Sequence, residues 1–109
     1  MSTVWITGGG SGIGKALALS FASDGWNVVI SGRNPQRLQE VCNLSSKIRS
    51  VICDITNQNE VEQSQSEIGA IELAVLNAGD YRPGPTLACS TNEHRNIFEV
   101  NYFGTLNCI

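Results

Sequence analysis

Apolar and polar positions along this chain switch between two periods. Val4 to Thr7 is a short apolar run closed by glycines, the pattern of a buried strand. Ile13, Ala16, Leu17, Ser20 and Phe21 then fall at helical spacing, and Gly25 follows as a stop. Val28-Val29-Ile30 is a β-branched run and reads as a second, fully buried strand. Asn34-Pro35 opens a helix, Asn as N-cap and Pro in the first turn, with Leu38, Val41 and Cys42 on one face. Ser50 to Cys53 reads as a third strand ending at Asp54, and Thr56 can cap a polar helix running to about Ile68. Ile71 to Leu76 reads as a fourth strand, ending at Asn77-Ala78-Gly79. A loop with Pro83 and Pro85 follows. Ser90 and Glu93 have capping-box spacing, opening a last helix that carries Ile97, Val100, Asn101 and Phe103.

The order β-α-β-α-β-α-β-α predicts an α/β fold: a doubly wound parallel sheet with right-handed crossovers and helices on both faces. Residues 1–109 form one domain, since 109 residues are too few for two. The last helix carries no Gly or Pro stop and no further strand follows it. The pattern is that of a sheet truncated after about four β-α units.

Composition narrows the function. Hydrophobic residues make up 41% and charged residues 16%, which suits a globular protein and not a disordered one. A net charge of −3 argues against nucleic-acid or membrane-surface partners, although an acidic whole can hold a local cationic pocket. No run approaches the roughly 20 apolar residues of a membrane span, and no signal-peptide pattern opens the chain. The expected location is cytoplasmic, with reduced thiols. Cys42, Cys53, Cys89 and Cys108 form no C-x-x-C pair, and His94 is the one histidine, so no metal site is expected. Each cysteine reads as a small buried hydrophobe.

The chemistry sits first in Thr7-Gly8-Gly9-Gly10-Ser11-Gly12-Ile13-Gly14, between the first strand and the first helix. A turn this tight needs residues without a Cβ, and its backbone N–H groups can face a phosphate at the helix N-terminus. The general dinucleotide spacing G-x-G-x-x-G fails, because from Gly8 it would need glycine where Ile13 stands. A spacing G-x-x-x-G-x-G does fit, through Gly8, Gly12 and Gly14. A phosphate-loop reading competes: Gly9, Gly14 and Lys15 match G-x-x-x-x-G-K, and Val51-Ile52-Cys53-Asp54 imitates a strand ending in a magnesium-binding Asp. That motif needs Ser or Thr next, where this chain has Ala16.

Past the second strand, an NAD-binding protein places Asp or Glu to bond the ribose hydroxyls. This chain has Ser31-Gly32-Arg33-Asn34 instead. A carboxylate there would repel the 2′-phosphate of NADP, whereas the Arg33 guanidinium pairs with phosphate oxygens and can stack on adenine. Asp54-Ile55 follows the third strand; taken alone, Asp54 can also be a helix-capping or loop carboxylate. Asn77-Ala78-Gly79 is by itself only a turn signal. Asn101, in Asn101-Tyr102-Phe103-Gly104, stands mid-helix, where Asn has poor propensity.

Taken in order, the G-x-x-x-G-x-G loop, the Asp after strand three, Asn-Ala-Gly after strand four and Asn-x-x-Gly in the next helix resemble the N-terminal, coenzyme-binding half of the short-chain dehydrogenase/reductase family. The resemblance spans essentially the whole chain, and a phosphate-loop protein would not be expected to show the last two motifs. One departure is Leu76, where a second Asn is common in the family.

The resemblance implies a Rossmann-type fold and hydride transfer between the nicotinamide of NADP(H) and a carbonyl or alcohol substrate. The implied coenzyme contacts are Gly8, Gly10, Ser11, Gly12, Ile13 and Gly14 of the loop, Arg33 and Asn34, Asp54 at the adenine amino group with Ile55 near the ring, and Asn77, Ala78 and Gly79 against the ribose. Asn101 is the implied catalytic position, its backbone carbonyl holding a water in the proton relay to a lysine. The family's catalytic Ser and Tyr-x-x-x-Lys are missing: four residues beyond Tyr81 and Tyr102 stand Pro85 and Leu106. The 109 residues alone are therefore expected to bind coenzyme without turnover, as the coenzyme-binding half of an enzyme or, in the alternative, as a non-catalytic NADP(H)-binding module. They are also expected to associate, as a homo-oligomer through the apolar last helix.

Overall fold

The computed structural model describes residues 2–78 and 108–109. Pro83, Pro85, Cys89, His94, both tyrosines and the expected last helix lie outside the described residues, as do Gly79 and Asn101. Seven elements are described: β1 (Thr3–Thr7), α1 (Gly12–Ser23), β2 (Asn27–Gly32), α2 (Pro35–Cys42), β3 (Ile48–Ile52), α3 (Gln58–Ile68) and β4 (Leu73–Leu76).

The strands form one parallel sheet in the order β3-β2-β1-β4. Trp5 lies beside Val29 and Ala74, and Val28 beside Ile48. β1 and β2 are central, which is why they carry Val, Ile and Trp almost without polar interruption. The two faces bury separate clusters. Val4, Ile6, Val28 and Ile30 meet Ala18 of α1 and Leu38 and Val41 of α2. Trp5 and Val29 meet Val61 and Ile68 of α3 on the other face, with Cys53, Ile55 and Cys108. Successive strand residues point to opposite faces, so one strand serves both clusters. The chain thus forms the doubly wound α/β arrangement that its pattern implies. After β3 it crosses back to the far side of β1, placing a switch point at the carboxyl ends of β1 and β4.

Several local expectations shift. Of the face expected for α1, Leu17 and Phe21 pack on the core, but Ile13 is 72% exposed and Ala16 and Ser20 are exposed too; the helix buries Gly14 and Ala18 instead, with Ala22 packed nearby. Gly14 rotates the contact, because its missing side chain lets the first turn approach β1. β3 begins at Ile48 and not at Ser50, because Ile48 supplies the buried residue under α2 while Arg49 and Ser50 stay exposed. Cys53 still donates its N–H to the Gly32 carbonyl at 2.9 Å but lies just past the strand. β4 starts at Leu73; Ile71, assigned to it by the apolar pattern, packs into the α3-side cluster. Asn57, not Thr56, caps α3: its Oδ1 accepts from Glu60 N at 3.2 Å. Thr56 is occupied elsewhere, donating N–H (3.0 Å) and Oγ1–H (2.7 Å) to Asp54 Oδ1.

Cys53 and Cys108 are buried and Cys42 half-buried. Among the described residues, no helix is long and apolar enough to cross a membrane.

Two substitutions test this packing. Ile30→Ala opens space in the α1–α2 cluster and is expected to lower unfolding free energy by about 2–5 kcal/mol. Asn57→Ala removes one cap and is expected to cost about 1 kcal/mol. Denaturant titration ranks them, and a larger loss for Asn57→Ala would contradict the description of the core.

Candidate functional site

The carboxyl ends of β1, β2 and β4 meet at the glycine loop. Gly8 leaves β1 with φ +71°, a conformation that disfavours a side chain, and an added Cβ would stand 2.9 Å from Ala78 Cα. At Gly14 an added Cβ would run into the Gly8 carbonyl and the Asn77 side chain. The first turn of α1 therefore rests directly on the end of β1, as only a bare backbone permits.

Hydrogen bonds hold that contact. The Ser31 carbonyl accepts from Gly8 N (2.8 Å) and Gly9 N (3.3 Å), tying the loop to β2. Asn77 Nδ2 donates to the Gly8 carbonyl (3.3 Å), and Ala78 N donates to Thr7 Oγ1 (3.0 Å), tying it to β4. Beneath them, Trp5 Nε1 donates to Ser31 Oγ at 3.0 Å in the interior. The Ser11 side chain precedes α1 without making a capping hydrogen bond, so that helix presents uncapped N–H groups at the loop.

Two adjoining hollows lie along these ends. A groove of about 640 Å³ is lined by Gly8, Gly10 and Ser11 on one side and by Gly32, Arg33, Asn34, Pro35, Arg37 and Leu38 on the other. A smaller cavity of about 140 Å³ is lined by Gly8, Ser31, Gly32, Arg33, Cys53, Asp54, Ile55 and Ala78. Gly8, Gly32 and Arg33 border both. Among the described lining residues Asp54 is the sole carboxylate, and it belongs to the smaller cavity only.

The expected residues are largely assembled here. Gly8, Gly10, Ser11, Arg33 and Asn34 line the groove; Asp54, Ile55 and Ala78 line the cavity. Asn77 braces the loop from behind. Gly12 and Ile13 stand at the exposed start of α1, Gly12 with φ +56°. Asp54 has a divided role: Oδ1 is held by Thr56, while Oδ2 has no partner among the described residues. Asn57 and not Asp54 caps α3, whereas the two Thr56 bonds to Oδ1 match the loop-carboxylate reading of Asp54.

Arg37, Leu38 and Cys53 also line these hollows, and residue-by-residue reading had not assigned them there. For Arg37 the available signal was its position in the first turn of α2, on the side next to Leu38. For Cys53 it was adjacency to Asp54. Burial pushes the Cys53 thiol up; the charges of Glu60 and Asp54 push the same way, and a hydrogen bond with Ser64 opposes them. The Cys108 thiol is pushed up to about 11 by burial, with Cys53 adding to the effect.

The comparisons with known proteins agree with this geometry. The sequence model of the family described as short chain dehydrogenase matches residues 2–109. An uncharacterized oxidoreductase of Staphylococcus aureus strain USA300 is 34% identical over 107 residues, covering 93% of this chain and 46% of its own length. The crystal structure of a short chain dehydrogenase from Bacillus anthracis superposes with TM-score 0.89 at 31% identity, over 98% of this chain and 48% of that one. The closed form of a serine dehydrogenase complexed with NADP+ gives TM-score 0.89 at 25% identity, over 97% and 45%. The chain spans about half the length of the relatives it matches.

The buried thiols generate a pH prediction. A thiol raised in the folded state keeps its proton there and loses it more readily when unfolded. Its stabilisation is therefore present below pH 9.0 and lost as pH rises toward about 11. The loss attributable to Cys108 is about 2 kcal/mol. Denaturant unfolding across this range should show a decline that Cys108→Ala flattens; an equal slope in the variant would refute it.

Proposed function

This chain belongs to the short-chain dehydrogenase family, and on that premise we propose that it supplies the coenzyme-binding part of an oxidoreductase that uses NADP(H). The phosphate-loop alternative is set aside: Lys15 and Ala16 are exposed on α1, and Ala16 has no hydroxyl for a metal.

One observation carries the coenzyme choice. Where an NAD site needs a carboxylate after β2, this chain places Arg33, at the border of groove and cavity. Its guanidinium is exposed and makes no ion pair among the described residues. The 2′-phosphate would thus meet a cation with no opposing carboxylate in the groove. The serine dehydrogenase found with NADP+ supports the same reading.

Each residue then has a task. The uncapped start of α1, with Gly10 and Ser11, faces the pyrophosphate. Asp54 Oδ2 is left to accept from the adenine amino group, and Ile55 gives that ring an apolar wall. Asn77, Ala78 and Gly79 support the ribose. Asn101 is assigned by its motif to hold a relay water through its backbone carbonyl. When bound, the coenzyme supplies or accepts hydride, and a carbonyl or alcohol is the substrate class. A cytoplasmic location and self-association through the last helix complete the proposal.

Two measurements test it. Arg33→Ala should reduce the NADPH-over-NADH preference about tenfold at low salt, less at high salt. An unchanged ratio of dissociation constants overturns the coenzyme assignment. The 109 residues contain no Tyr-x-x-x-Lys, so they should bind coenzyme yet leave reduced-coenzyme absorbance constant when offered carbonyl substrates. Sustained turnover by this chain would overturn that division of labour.

A further inference from the structure

The groove holds a second cation besides Arg33. We propose that Arg37 is a second residue that holds the ribose 2′-phosphomonoester and acts on that group alone, while Arg33 is shared between that phosphate and the adenine face. The inference rests on reading the groove as an NADP(H) site.

The backbone at the start of α2 cannot perform this task. Pro35 has no N–H, and Asn34 Oδ1 already accepts from Gln36 N (3.1 Å) and Arg37 N (3.2 Å). The first-turn donors that would otherwise receive an anion are therefore engaged. Positive charge at this wall has to come from side chains, and the two cations lining it are Arg33 and Arg37.

Their positions differ. Arg33 borders both hollows, so it stands between the adenine cavity and the groove. Arg37 lines the groove alone. Its side chain begins against the glycine loop: a Cβ added at Gly10 would lie 3.3 Å from Arg37 Cβ. The next residue, Leu38, is 2% exposed and anchors this turn in the α1–α2 cluster. Arg37 thus leaves a fixed backbone directly across from Gly10 and Ser11. Its guanidinium makes no ion pair among the described residues, and no described carboxylate lines the groove. A doubly charged phosphomonoester is the ligand group that two forked guanidinium donors suit.

Calorimetric titration with 2′-AMP and 5′-AMP tests this on the chain and its Arg37→Ala, Arg37→Lys and Arg33→Ala variants. Arg37→Ala should bind 2′-AMP about tenfold more weakly and 5′-AMP within roughly twofold of the parent. Arg37→Lys should recover part of the loss, since it restores charge without the fork. Arg33→Ala should weaken both nucleotides, and 2′-AMP about tenfold more than 5′-AMP, because it removes a phosphate contact as well as the adenine wall. The salt dependence of 2′-AMP binding should flatten in Arg37→Ala. A parent that prefers 2′-AMP, with Arg37→Ala keeping that preference intact, overturns the role of Arg37 and leaves the coenzyme assignment standing. A parent that binds 2′-AMP no better than 5′-AMP overturns the NADP(H) reading itself.

Discussion

The contact on which the rest of the site depends is that of two bare backbones. Gly14 opens α1 so close to the Gly8 carbonyl that no Cβ fits between them. Because of that approach, α1 starts at the end of β1 and does not stand off from it, and its start, without a side-chain cap, follows directly on Gly10 and Ser11 of the groove wall. The same carbonyl accepts from Asn77, so the end of β4 is registered against the loop by the group that excludes a side chain at Gly14. Ser31 repeats the arrangement from β2 with one carbonyl and two loop amides. Three strands thereby share one fixed corner, and preorganised donors of this kind bind without first spending conformational entropy.

The sheet was legible because its signals are strong and local. β-branched runs bounded by glycine, Asn-Pro at a helix start and a glycine cluster between strand and helix each have few structural solutions. Edge elements were less legible. β3 is an edge strand of the described sheet whose first residues, Ile48, Arg49, Ser50 and Val51, run buried, exposed, exposed and half-buried, and a broken alternation of that kind hides the true first residue. At α3, Thr56 and Asn57 are both good caps by type, and the choice was made by Asp54, whose carboxylate claims the Thr56 hydroxyl. Competition between side chains two positions apart is not visible as periodicity.

The site divides along the same line. Residues that act through backbone geometry, such as Gly8 and Gly14, announce themselves through composition and spacing. Arg37 and Cys53 line the hollows through tertiary placement, on elements whose own patterns concern a different task. Arg37 sits in an ordinary amphipathic turn, and Cys53 looks like any small core residue. Their relation to the ligand space appears only once α2 and β3 are set beside the glycine loop.

The Trp5–Ser31 hydrogen bond has a spectroscopic consequence. The chain's two indoles differ in place: Trp26 stands just before β2, edge-on to Phe21 with ring centroids 5.3 Å apart, and Trp5 is buried in the middle of β1, bonded to Ser31, which lines the smaller cavity. An indole's emission responds to the polarity and hydrogen bonding around its nitrogen. Trp5 is therefore coupled, through one hydroxyl, to the contents of the smaller cavity, while Trp26, which lines neither hollow, serves as an internal reference. The fold carries its own paired optical probes, one bonded to the cavity wall and one away from it, without any label being introduced.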